Sequence, residues 1–151
     1  MNLRLLPLLL IALLGAVACG APAAVEGEVE GRVWSLRDTE PELKMHSRTG
    51  DAQIVLADRS GDQLRTVVVF VDDTAELTID EPIAFGDAVS LLVSEGELET
   101  LESGAVNAKD PTFHGIVKGE ITFTSLRDPI VAEFWAELEN GGYIEGSFVL
   151  E

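Results

Sequence analysis

The chain has 151 residues, 46% of them apolar, with 27 Asp and Glu against 10 Lys and Arg for a formal charge of −17. So apolar a composition builds a core and excludes wholesale disorder, and a single cysteine excludes an intramolecular disulfide or a cysteine-rich metal site. The charge excludes a nucleic-acid partner, because phosphate contacts need clustered Lys and Arg.

Residues 1–18 read as an export signal. Arg4 is a short basic start, and Leu5 to Ala18 form an apolar run interrupted only by Pro7 and Gly15. At about 14 residues the run is shorter than the ~20 of a membrane-spanning helix. Ala16-Val17-Ala18 then leads directly into Cys19. This segment resembles the lipobox of bacterial lipoproteins, a resemblance confined to the first twenty residues. It implies cleavage before Cys19, with acyl chains of the palmitate kind attached there. An ordinary signal peptidase would cut the same bond. Lipidation is the preferred reading, because the exported chain would otherwise end in a lone reactive thiol. Gly20 stands where lipoproteins retained in the inner membrane often carry Asp, so the resemblance implies the outer membrane of a Gram-negative bacterium.

Loss of Arg4 leaves 9 basic against 27 acidic residues, formally −18. Residues 19–24 are then the lipidated cysteine and a short tether, and five extended residues reach only ~17 Å. The domain over 25–151 is thus expected close to the membrane. Acyl chains hold it there, since an acidic domain gains nothing from anionic headgroups.

Along the domain the dominant pattern is alternation. Val25, Val29 and Val33 share one parity and Glu26, Glu28, Glu30 and Arg32 the other, which predicts one strand. Ile54-Val55-Leu56 and Thr66 to Val71 read as a hairpin turning at Arg59-Ser60-Gly61-Asp62, its second strand buried on both faces. Thr74 to Ile79 and Ile83 to Val93 are further strands separated by Pro82. Residues 38–50 and 94–112 have the weakest pattern, with a helical turn expected at Glu97 to Glu102.

The last third is the clearest. Val117, Gly119, Ile121 and Phe123 share a face, as do Ile130, Ala132, Phe134, Ala136 and Leu138, and again Ile144, Gly146, Phe148 and Leu150. A turn at Leu126-Arg127-Asp128-Pro129 sets Phe123 against Ala132 and Ile121 against Phe134. A three-residue Asn140-Gly141-Gly142 loop keeps the third strand's apolar face inward and sets Leu138 against Ile144 and Phe134 against Phe148. The result is a three-stranded antiparallel meander. About eight strands and almost no helical period predict a single all-β domain, an antiparallel sandwich or small barrel. The meander loosely resembles those of other small β-rich lipoproteins of unassigned function, a resemblance that implies no activity.

Catalytic motifs are thin. His46 and His114 both fall in segments that read as loops, without metal-ligand spacing, so they are expected to be solvated. No Gly-x-Ser-x-Gly and no phosphate-binding glycine loop occurs. Asp62 to Glu102 holds eleven acids against Arg65. Asp72-Asp73 with Glu76 or Asp80 is the place where Ca²⁺ would bind, but without calcium-loop spacing the segment reads as a solvated acidic face. No cofactor, metal or catalytic residue is expected.

The expected function is a non-catalytic, lipid-anchored envelope protein that binds or organises something near the membrane, an envelope protein partner being one such target. A lipocalin-like barrel carrying a small apolar ligand is the alternative, with Phe70, Phe123, Phe134 and Phe148 pointing inward. A carboxylate-based hydrolase comes third. Trp135 is the candidate for partner binding. The registers put it on the outer face of the meander between Glu120 and Ser147, with Lys118, Glu137 and Glu145 in the next row. Either a second sheet or the N-terminal strand, with Trp34 on its Glu-rich parity, covers it, or it is an exposed anchor.

Overall fold

The computed structural model describes residues 23–151 except 38, 47, 60 and 87. Cys19 and the export signal lie outside the described residues. Among the described residues eleven strands form: β1 (Ala23–Val29), β2 (Arg32–Leu36), β3 (Glu42–Met45), β4 (Ala52–Asp58), β5 (Gln63–Val71), β6 (Pro82–Ala84), β7 (Val89–Thr100), β8 (Val106–His114), β9 (Ile116–Leu126), β10 (Ile130–Leu138) and β11 (Tyr143–Leu150). They build two antiparallel sheets, one of order β2-β1-β11-β10-β9-β6 and one of order β3-β4-β5-β7-β8. The sheets pack face to face around one apolar core that includes Trp34, Phe123, Phe148, Leu36, Leu56, Ile121 and Ile144. The molecule is an all-β sandwich, not a closed barrel. Phe70 does not join the core. It lies on the parity opposite the buried Val67, Val69 and Val71 and is half-buried on the outer face, as is Val68.

The N-terminal alternation hides a turn. Glu30 and Gly31 both have positive φ, 51° and 73°, and Val29 pairs with Arg32, the geometry of a tight two-residue hairpin. A two-residue loop exchanges the faces of the strand that follows. Val33 is therefore 88% exposed while Trp34 is 2% exposed, opposite Gly27 and inside the core. β1 also begins at Ala23, so two residues read as tether belong to the first strand.

Elsewhere the weakly patterned stretches are strands. Residues 94–112 contain no helical turn. They hold the outer parts of β7 and β8, a hairpin that extends beyond the core with most side chains exposed. Thr74–Glu76 is a short 3₁₀ turn capped by Asp73, whose carboxylate accepts a 2.8 Å hydrogen bond from the Ala75 N–H. The segment from Ile83 to Val93 is divided between β6 in one sheet and β7 in the other.

The meander forms the centre of the larger sheet. Phe123 pairs with Ala132 and Ile121 with Phe134, the expected pairs, but the turn is Arg127-Asp128-Pro129, since Leu126 pairs with Ile130, and a one-residue shift between Val131 and Ala132 restores the register. Two irregularities flank this stretch. At the lower one Leu138 pairs with Ile116, so Val117 bulges out to 63% exposure and Ile116 packs on the core in its place. The last hairpin keeps the predicted faces but differs in register. Its loop is Glu139-Asn140-Gly141, with Gly141 at φ 84° and the Leu138 N–H donating to the Gly142 carbonyl. Phe148 thus faces Ala132, and Phe134 faces Gly146. The physical reason is size matching. A Cβ on Gly146 would stand 2.8 Å from Phe134 Cζ, so the glycine makes room for the ring. Over the small Ala132, Phe123 and Phe148 meet edge to face with centroids 6.5 Å apart. The alternative register would set phenylalanine on phenylalanine and alanine on glycine.

Candidate functional site

β10 places Trp135 on the outer face of the larger sheet, because its odd positions point away from the core that Ala132, Phe134, Ala136 and Leu138 fill. The registers give its neighbours. Glu120 of β9 stands on one side, as predicted. Glu145 of β11, not Ser147, stands on the other, and Glu145 is paired in turn with Glu26 of β1. One row across four strands reads Glu26, Glu145, Trp135, Glu120. Glu133 and Glu137 sit two residues away from Trp135 on its own strand, on the same face. The next row holds Lys118, Glu137 and Tyr143, with Lys118 Nζ 3.0 Å from a Glu137 oxygen.

Trp135 is 38% exposed. Among the described residues neither covering element forms, for Trp34 is in the core on the other side of this sheet and no second sheet lies over this face. Ala24, Thr122 and Ser147 complete a groove of about 710 Å³ around the indole, and Arg37 closes one end. Among the described residues, Glu26, Glu120, Glu133 and Glu145 take part in no ion pair. The groove therefore presents an aromatic surface inside a net negative field, with Arg37 at one end and Lys118 paired to Glu137 in the next row.

A second polar cluster was not readable from the sequence, because its members are far apart along the chain. Glu95 of β7 is nearly buried and lies 2.8 Å from Arg32 Nη2, 3.7 Å from Arg65 Nε and 3.7 Å from His114 Nε2. His114 is not a solvated loop residue. It ends β8, is 5% exposed, and its Nδ1 lies 3.4 Å from the Asn140 side-chain amide. Asn140 Oδ1 accepts from the Gly142 N–H, so its NH₂ is the group that faces His114, which puts the ring proton on Nε2, towards Glu95. Arg32 belongs to one sheet and Arg65, Glu95 and His114 to the other, so the carboxylate ties the two layers together. With cations on both oxygens it is occupied as a structural link. His46 is exposed in a loop, as predicted.

Among the described residues, no three His, Cys, Asp or Glu side chains gather in an arrangement that could hold a metal ion. The chain matches no family model, no curated protein and no solved structure.

Proposed function

We propose that this protein is a lipid-anchored, non-catalytic component of the cell envelope that binds a partner through the outer face of its larger sheet. The anchor rests on the sequence: the apolar run Leu5 to Ala18 ends in a small-residue site at Cys19, the chain's sole cysteine. Gly20 supports the outer membrane of a Gram-negative bacterium as its location. The binding role is carried by one observation, a half-exposed tryptophan at the centre of a face dominated by carboxylates. Tryptophan is enriched among residues that dominate interface energies, since one rigid ring supplies a large contact area.

Two measurements test the two halves. Intact-mass analysis of the protein from a lipoprotein-processing host is expected to give the chain from residue 19 plus acyl chains, and Cys19→Ser should leave it unanchored. An unmodified native mass overturns the anchor. Replacing Trp135 by Ala is expected to cost no more than about 1 kcal/mol of stability, because the residue is outside the core. Photo-crosslinking from position 135 in intact cells should yield a discrete adduct that is lost when the label is moved to position 99. A large stability loss with no adduct would assign the ring a packing role alone.

A further inference from the structure

Resting on that binding role, we propose that the occupant of the Trp135 face is a basic segment of a partner protein, with an arginine or lysine side chain laid over the indole and held by Glu120 and Glu145. Neighbouring strands are ~4.8 Å apart and residues two apart on a strand ~7 Å, so Glu120, Glu145 and Glu133 stand around the ring within one side-chain length, while Glu137, at the same spacing, is paired with Lys118. A cation above an indole is attracted by its negative face, and a guanidinium both stacks on the ring and bonds carboxylates through paired N–H groups. Glu26 and Glu145 are directly opposed on adjacent strands, where like charges destabilise. The free protein therefore carries a repulsion that a bound cation removes.

Other occupants fit less well. A second copy would bring the same carboxylates to the face on a chain of charge −17, and an anionic lipid surface would be repelled. A bare metal ion makes no use of an indole. The groove runs from Arg37, at the end of β2, to Glu120 on β9, five strands or roughly 19 Å. About six residues of extended chain cover that distance.

The test uses fluorescently labelled hexa-arginine with the detergent-solubilised full chain, hexaserine as the neutral control, and anisotropy at physiological salt. Hexa-arginine is expected to bind and hexaserine not. Trp135→Ala and Glu145→Gln should each weaken binding by about tenfold, the worth of one cation–π or charge-assisted contact, while Trp135→Phe stays within about threefold. The double change Glu99→Gln with Glu102→Gln, on and beside the projecting β7 end, should alter binding less than about twofold, since exposed charges beyond a Debye length are screened. Equal losses from the distant pair would show mere attraction to an acidic protein and overturn the proposal. So would a polyamine of equal charge that binds as tightly with the same dependence on Trp135, which would make the ligand a small cation. If hexa-arginine fails while position 135 crosslinks a partner segment free of Arg and Lys, this inference falls and the binding role stands. If position 135 crosslinks nothing and Trp135→Ala changes nothing, both fall.

Discussion

Several large residues in the inner face of the bigger sheet are set opposite small ones. Phe134 faces Gly146, Phe148 faces Ala132, Ile144 faces Ala136 and Trp34 faces Gly27. This alternation lets rings from neighbouring strands fill one layer without collision. Gly146 is one of several positions, with Gly27 and Gly119, that admit no side chain, because a Cβ on Gly146 would press on the Ala24 carbonyl oxygen as well as on Phe134, and a backbone group cannot swing aside. Gly146→Ala is therefore expected to destabilise by about 1–3 kcal/mol through overpacking, and Phe148→Ala by about 3–5 kcal/mol through the cavity it leaves. Urea unfolding checks both against Trp135→Ala, which should differ clearly from Phe148→Ala. Equal losses at 135 and 148 would contradict the placement of Trp135 on the outer face.

At the scale of elements, the turns decide which face each strand presents. The β1–β2 hairpin is closed by Glu30-Gly31, with a non-glycine residue in the left-handed region at the first position. Asn accepts that conformation more readily than Glu, and Asn-Gly is the favoured pair for such a turn. Glu30→Asn is expected to stabilise by about 0.5–1 kcal/mol, measured as a higher unfolding midpoint. The Glu30–Arg32 ion pair it removes, at 3.5 Å between largely exposed groups, offsets little of this. A fall in the midpoint would mean that Glu30 contributes more than its backbone strain costs. The same hairpin explains why Trp34 was misplaced by alternation. Val25, Val29 and Val33 keep one parity across Glu30-Gly31, so a reading by period alone runs straight through the turn.

Across the whole molecule, the two sheets differ on their outer faces. Val55, Val68 and Leu92 form an apolar row across β4, β5 and β7 that ends at Glu42 on β3, whereas the six-stranded sheet carries its carboxylates around Trp135. The layers are joined by the shared core and, near the Glu30-Gly31 turn, by Glu95 with Arg32, Arg65 and His114. Glu95→Ala leaves the buried Arg65 Nε and His114 Nε2 without an anion, and these atoms have no hydrogen-bond partner that would replace it. The expected cost is about 1.5–3 kcal/mol, since the lost interactions are charge-assisted but Arg32 remains able to turn to water. Thermal unfolding monitored separately by tryptophan fluorescence and by far-ultraviolet circular dichroism should show one lowered transition. An unchanged midpoint would remove Glu95 from the inter-layer link.

The sequence by itself determined what depends on neighbours along the chain. Period-2 alternation was enough for the all-β class and for the faces of β10, β11 and the Gly119 to Phe123 stretch of β9, because a side chain's face follows from parity and parity survives any even shift in register. It also carried the outward placement of Trp135 and its neighbour Glu120. Only the tertiary structure decided the rest. A shift of two residues in the last hairpin leaves every parity intact, yet it replaces Ser147 by Glu145 beside Trp135, and the choice rests on Phe134 fitting over Gly146. The exposure of Trp135 depended on where Trp34 went, and that depended on a turn hidden within one alternating run. Glu95 and His114 meet through the pairing of β7 with β8, and Arg32 reaches them only when the sheets stack, so no local pattern marks them.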